Sequence, residues 1–355
     1  MYKNEIDPWF LENLVCPVSH ESLEYLNGDL VSVSGRRYPV VEGIPVMLVD
    51  KVEQTIGVAS ESIMRAADED YADDRAKRFH LESLGISEEE KEVLIKLIDE
   101  DTLSIDPVVA LLIGATSGYA YQHLIGKLDS YPIPAIRLPK VEGDTLLDIG
   151  CNWGRWSLSA ARRGYQVIGI DPSLGAVLAA RRVGDQLSLS NRYLVADSRF
   201  LPFKKNSYQT VFSYSVLQHL SKTNTKKSIS EIMRVLKPSG TSLIQMPTIF
   251  GVRCLYHQAK RKFRKPSGFE VRYWTLPELR RVFGQIGATS VSVDCYFGIG
   301  LQKTDIPLMP YRVKYVILLS EFLRRISDFL PFMKYIADSI YIKSQSSNVP
   351  TDNRF

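Results

Sequence analysis

The feature that most constrains this chain is an alternation that begins near residue 145. TLLDIG (145–150), QVIGID (166–171), RYLVAD (192–197), YQTVFSYS (208–215) and GTSLIQMP (240–247) are short apolar runs rich in branched residues. Helical stretches separate most of them, the pattern of a parallel sheet covered by helices on both faces. ATSVSVDCYFG (288–298) and DSIYIKS (338–344) are positioned to complete the sheet. The expected fold is therefore α/β: a doubly wound, Rossmann-like, seven-stranded and mostly parallel sheet.

Upstream lie two further units. Residues 1–50 read as a small β-rich module, with Leu30, Val31 and Val33, then Tyr38 to Val41, as short strands between Asn27-Gly28 and Gly43-Ile44-Pro45 turns. About forty residues bury little surface, so this module is expected to lean on its neighbour. Residues 51–140 read as a helical connector. Ser87 and Glu90 form a capping-box pattern, Val93, Leu94, Leu97 and Ile98 repeat at helical spacing, and Tyr131-Pro132-Ile133-Pro134 is extended. The acidic run Asp68 to Asp70 with Asp73 and Asp74 is a solvated face. The main domain spans 141–345 and includes a helical insertion at 311–336, where Val316, Leu319, Phe322 and Leu323 mark a packing face. The polar tail, 346–355, is expected to be disordered.

Composition narrows the class. Of 355 residues, 45% are apolar and 24% charged, the balance of an ordinary globular protein, and the formal charge of +4 does not argue for a nucleic-acid binder. Cys16, Cys151, Cys254 and Cys295 form no CxxC pair, so neither a zinc site nor a disulfide framework is expected. No export leader stands at the N-terminus, and VVALLIGA from Val108 is too short to cross a bilayer. A cytoplasmic protein without a membrane span is expected.

The chemistry concentrates in LLDIGCNWGRWSLSAARRG. A buried strand carries Asp148 near its end, turns between Gly150 and Gly154, and enters a helix. Such a turn lets backbone approach a ligand, and the helix start offers free N–H groups to an anion. The turn departs from GxGxxG, which argues against a nicotinamide dinucleotide. Asp171 stands at the next strand end, where a carboxylate suits ribose hydroxyls.

The stretch 145–247 resembles the class I methyltransferase family, in the branch often called type 11. The resemblance rests on the glycine turn, the strand ends Ile170-Asp171 and Val195-Ala196-Asp197-Ser198, the junction Ser213 to Leu220, and EIMRVLKPSG at 231–240. It implies S-adenosylmethionine as cofactor. Asp148, Gly150, Cys151, Asn152 and Gly154 would hold its methionine end, Asp171 and Pro172 its ribose, and Asp197 and Ser198 its adenine, with Tyr214 and Ser215 at the junction towards the acceptor. Asn152 replaces the family's middle glycine, a residue type that tolerates left-handed dihedrals. His219 reads first as a helix-start histidine packed under the cofactor, with proton acceptor as its alternative role. Tyr119 and Tyr121 could help close the site.

Residues 11–49 resemble the small activator subunit that partners transfer-RNA, ribosomal and release-factor methyltransferases. Zinc-binding members of that group begin with CxxC; here Cys16 is followed by Ser19, so no metal is expected. Lys260, Arg261, Lys262, Arg264 and Lys265 form a basic cluster that could meet an anionic substrate. The expected activity is methyl transfer to a small molecule or a glycan- or lipid-linked metabolite. The alternatives are a transfer-RNA wobble-uridine methyltransferase and a non-catalytic cofactor-binding scaffold; an NAD-dependent oxidoreductase ranks behind both.

Overall fold

The structure is a computed structural model and describes residues 6–54, 57–68, 75–101, 103–115, 120–298 and 300–347. The N-terminal unit holds α1 (Pro8–Asn13) and an antiparallel sheet of β1 (Leu23–Leu26), β2 (Asp29–Ser32), β3 (Arg37–Val41) and β4 (Ile44–Pro45), paired in that order. The connector follows with α2 (Val58–Ala66), α3 (Arg75–Arg78), α4 (Glu88–Glu100) and α5 (Pro107–Ala115). The Ser87 hydroxyl accepts from the Glu90 amide and the Glu90 carboxylate accepts from the Ser87 amide, closing the capping box at the start of α4. From Asp129 to Asp144 the chain runs without regular structure over the main domain. Tyr119 and most of the acidic run lie outside the described residues.

The main domain alternates as its sequence requires: β5 (Thr145–Ile149), α6 (Arg155–Ala161), β6 (Gln166–Asp171), α7 (Leu174–Gln186), β7 (Arg192–Val195), β8 (Tyr208–Ser213), α8 (Lys222–Val235) and β9 (Leu236–Pro247). Then come α9 (Val252–Lys260), α10 (Leu276–Phe283), β10 (Gly287–Cys295), α11 (Tyr311–Ile326) and β11 (Ser339–Ser346). The strands form one seven-stranded sheet in the order β10-β11-β9-β8-β5-β6-β7, parallel from β9 to β7, with β11 antiparallel to both its neighbours.

Alternation sorts the strand residues to two faces. Leu147, Ile149 and Val211 join a core with α8, α10 and the N-terminal unit, whereas Leu146, Phe212 and Leu243 pack with Trp156 and Tyr341 on the opposite face. Asp148 shares the parity of Leu146 and so points towards α6. The chain leaves β5 for β6 on one side and returns to β8 on the other. A crevice therefore opens at the carboxyl ends of β5 and β8, the position where this class of sheet binds ligands.

The N-terminal unit extends the β7 edge. Val46 bridges Val195 in parallel, the Met47 amide donates to the Val195 carbonyl (2.7 Å), and the Val15 amide donates to the Pro202 carbonyl (3.0 Å). Phe10, Leu14, Tyr38 and Met47 are buried in the same core as Leu194 and Phe203. This covering satisfies edge groups that would otherwise template foreign strands.

Two expectations change. The apolar stripe of α11 is not a packing face: Val316, Leu319 and Phe322 are exposed, and only Leu323 leans on the core. The face that packs carries Ile317 and Ser320. The tail boundary also moves, because Ser346 belongs to β11 and pairs with Gly287; residues 348–355 lie outside the described residues.

Candidate active site

The turn after β5 takes three left-handed residues, Gly150 (φ 74°), Asn152 (φ 49°) and Gly154 (φ 84°). A side chain at Gly150 would put its Cβ 2.2 Å from Val216 Cγ2, so the loop after β8 closes directly onto the glycine. At Gly154 the nearest atom to such a Cβ would be the Tyr193 hydroxyl, at 2.8 Å. The turn is tied to β6 by the amides of Gly150 and Cys151, which both donate to the Ile170 carbonyl.

Two carboxylates face this turn. Asp148 is 1% exposed and accepts a 2.6 Å hydrogen bond from the Ser157 hydroxyl of α6. Burial, reinforced by the nearby Asp171, pushes its carboxyl up to about 7. Asp171 accepts from the Asn152 amide and the Ser173 amide, each at 3.0 Å. Burial outweighs those two donors and raises it to about 6. Neither carboxylate is ion-paired among the described residues. Beside them the Asn152 Oδ1 is buried without a hydrogen-bond donor. Cys151 is buried and its thiol is pushed far up by burial, which makes it unreactive.

The connector closes over β6. The Ser62 hydroxyl donates to the Pro172 carbonyl and accepts from the Leu174 amide, Ser83 Oγ accepts from the Gly175 amide, and Ser173 Oγ donates to the Ser83 carbonyl. Amides at the start of α7 are thus capped by side chains more than ninety residues upstream. A cavity lies beneath, walled by Val58 and Ala59 of α2, by Gly150, Pro172, Asp197 and Ser198, and by His219 and Phe269. Of the residues singled out in the sequence, Asp148, Cys151, Asn152, Gly154, Asp171, Tyr214 and Ser215 surround the turn without forming this wall.

Several of these side chains are already engaged. The Arg199 guanidinium holds Asp197 through Nε (3.0 and 3.1 Å) and Nη2 (2.5 Å), and Ser198 pairs with Ser228. The Tyr214 hydroxyl donates to Asp294 Oδ2 (3.0 Å), which also accepts from Ser339, so this tyrosine points away from the cavity. Ser215, at φ 60°, hydrogen-bonds Gln245 through its amide and its hydroxyl. Tyr121 is buried against Asp305 and Arg155.

His219 stacks flat on Phe269 with ring centroids 3.8 Å apart. Its Nδ1 lies 2.6 Å from the Phe269 carbonyl, which makes that nitrogen the donor and leaves Nε2 to accept from Gln218 (3.1 Å). Burial and the Arg272 charge bring its pKa down to about 4.

Comparison with known proteins bears on this geometry. Residues 146–240 match the family model described as methyltransferase domain. Over 106 residues the chain is 35% identical to phosphoethanolamine N-methyltransferase 2 of Caenorhabditis elegans. Over a further 106-residue match it is 32% identical to the tRNA (carboxymethyluridine(34)-5-O)-methyltransferase of Arabidopsis thaliana. Each match covers 29% of this chain and 24% of the relative, so the chain spans about a quarter of the length of either. A solved structure of Haemonchus contortus phosphoethanolamine N-methyltransferase 2 with S-adenosyl-L-methionine is 22% identical, covering 66% of this chain and 58% of that one, at a TM-score of 0.43.

The matched stretch contains the glycine turn and the strand-end carboxylates. The cavity walls from the connector and from Phe269 lie outside it. Ser62, Ser83 and Val58 carry no local motif; only folding brings them to β6. Arg199, two residues beyond Asp197, was within reach of the sequence as an acid–base pair.

Proposed function

We propose that this chain transfers a methyl group from S-adenosylmethionine to an acceptor that is a small molecule or a glycan- or lipid-linked metabolite. The observation that carries the reading is the charge and hydrogen-bond imbalance at the glycine turn. Two buried carboxylates without a cation, both raised, and the unsatisfied Asn152 Oδ1 together favour a ligand that brings positive charge and donors. S-adenosylmethionine has an ammonium and a sulfonium at its methionine end and hydroxyl donors on its ribose, so the residues fit it. The match of residues 146–240 to a methyltransferase domain supports the same assignment.

When bound, the sulfonium supplies an already activated methyl group for in-line displacement. This chain's residues would hold and align. Asp148 and Asn152 would receive the ammonium, the turn from Gly150 to Gly154 would bring backbone against the methionine, and Asp171 would take the ribose hydroxyls. Asp197 would meet the adenine amine only by sharing its carboxylate with Arg199. With a pKa about 4 and its Nε2 engaged, His219 is neutral and a weak base near pH 7, so it holds the Phe269 wall and alignment supplies the rate.

A second reading, methylation of a transfer-RNA wobble uridine, is favoured by the fused N-terminal unit on the β7 edge and by the Arabidopsis relative. The basic cluster supports it less, because Arg264 is held by Glu270 (2.6 Å) and Arg261 by the Val271 carbonyl (3.0 Å). Calorimetric titration with S-adenosylmethionine and with NADH, on the native chain and on Asp171→Ala, tests the proposal. Binding of the methyl donor alone is expected, weakened about tenfold or more in the variant. Binding of NADH, or of neither ligand, would overturn it.

A further inference from the structure

The solvent side of α11 is the wrong polarity for a helix at rest in water. Tyr311, Tyr315, Leu318, Leu319 and Phe322 are all exposed, Tyr311 at 72% and Phe322 at 59%. At about 100° per residue they fall within an arc of roughly 100°, opposite the face that buries Ile317 and Ser320. A surface helix normally turns charge to that side. Here charge occupies the flanks instead: Arg312 borders one side of the stripe, and Lys314 and Arg325 the other. Past the helix, Phe329 (84% exposed), Phe332 and Ile336 are exposed as well.

The surface does not stop there. Asp338, two residues beyond Ile336, accepts from the amides of Arg253 and Cys254 and so fixes the start of α9 next to it. That helix exposes Val252 and Tyr256 and runs into Lys260, Lys262 and Lys265, the lysines of the basic cluster, which no carboxylate holds among the described residues. Beyond them lies Phe269, whose ring forms a wall of the cavity against His219. Asp338 thus ties the start of α9 to the segment that ends at Ile336, and the chain beyond α9 leads to the cavity wall.

We propose that α11, the segment 329–336 and α9 form a docking face for an anionic phospholipid surface. Aromatic and aliphatic side chains would enter the headgroup boundary while the flanking lysines and arginines meet lipid phosphates. Charge decides between this occupant and a second copy of the chain. Around α11 and 329–336 the exposed charges are Arg312, Lys314 and Arg325 against Asp328, with Lys334 half-buried, while Glu321 is taken up by Arg137 and Arg324. Two such faces would set cation against cation, whereas an anionic bilayer complements both rims. The span fits a surface helix: no described helix is long and apolar enough to cross a membrane. The inference does not depend on methyl transfer, because docking is read without cofactor.

The test is vesicle flotation of the full chain with phosphatidylcholine alone and with added phosphatidylglycerol, at low and high salt. Binding to the anionic vesicles only, weakened by salt, is expected. Phe322→Ser with Phe329→Ser, both at exposed positions, should cut binding about tenfold or more with an unchanged thermal melt. Lys314→Glu with Arg325→Glu should abolish the preference for anionic lipid. Absence of vesicle binding at low salt, or binding indifferent to both double variants, would overturn the proposal. So would a dimer by sedimentation equilibrium that the phenylalanine variant dissolves, or retention of transfer RNA in place of vesicles.

Discussion

Replacing Asp148 by asparagine should make the ligand-free protein more stable while weakening its hold on the methyl donor. The carboxyl titrates at about 7 in the fold against an ordinary 3.8. Each unit of difference corresponds to about 1.4 kcal/mol. Because the folded value is raised, the contribution of this acid to stability is whole below pH 3.8 and is lost as pH climbs through about 7. At pH 8 the ionised group costs the fold about 4 kcal/mol; at pH 5, where only the unfolded chain is ionised, the cost is about 2 kcal/mol. The amide removes both costs, and its Oδ1 can still accept from Ser157. Its new NH₂ group needs an acceptor and sets back the gain by about 1–3 kcal/mol at either pH. The diagnostic is therefore the difference between the two conditions: urea unfolding should show Asp148→Asn gaining about 2–3 kcal/mol more over wild type at pH 8 than at pH 5. Calorimetry at pH 8 should show weaker binding of S-adenosylmethionine. An equal gain at both pH values would refute the raised carboxyl, and unchanged binding would remove Asp148 from the methionine site.

Gly150→Ala should cost about 2–5 kcal/mol, the sum of a left-handed alanine and overpacking against Val216. Adding Val216→Ala should recover about 1–3 kcal/mol of that in urea unfolding, since it removes the Cγ atoms but not the backbone strain. His219→Gln should keep kcat within about tenfold and leave the pH profile between 6 and 8 unchanged, because a base contributes far more than packing does. A hundredfold fall in kcat with an altered profile would restore histidine as the proton acceptor.

The sheet was legible because its strands are buried on both faces and therefore read as continuous branched runs between turns. Boundaries were less so where backbone alone decides. The strand β9 starts at Leu236 because Lys237 to Gly240 bulge out between the pairs Tyr208–Leu236 and Thr210–Thr241. The strand β11 continues through polar Ser344, Gln345 and Ser346 because β9 and β10 flank it with ladders. Periodicity in α11 gave the helix but not its orientation: the side facing the core fully buries only Ile317 and Ser320, with Val313, Leu323 and Ile326 half-buried against it. The glycine turn was legible from Gly150, Asn152 and Gly154, whose left-handed dihedrals follow from residue type. The roof over it was not, since Ser62 and Ser83 reach α7 only through tertiary packing.

The hydrogen bond from Met47 to Val195 also sets a schedule for synthesis. The N-terminal unit leaves the ribosome about 150 residues ahead of the edge strand it covers, a lag of roughly 10–30 s at ordinary elongation rates. Some forty residues have too little interior to fold alone, so Phe10, Leu14 and Met47 must wait in the open until β7 arrives. Long-range pairing of this kind raises the contact order of the fold and slows folding. The edge strand and its cover are thus each exposed until they meet.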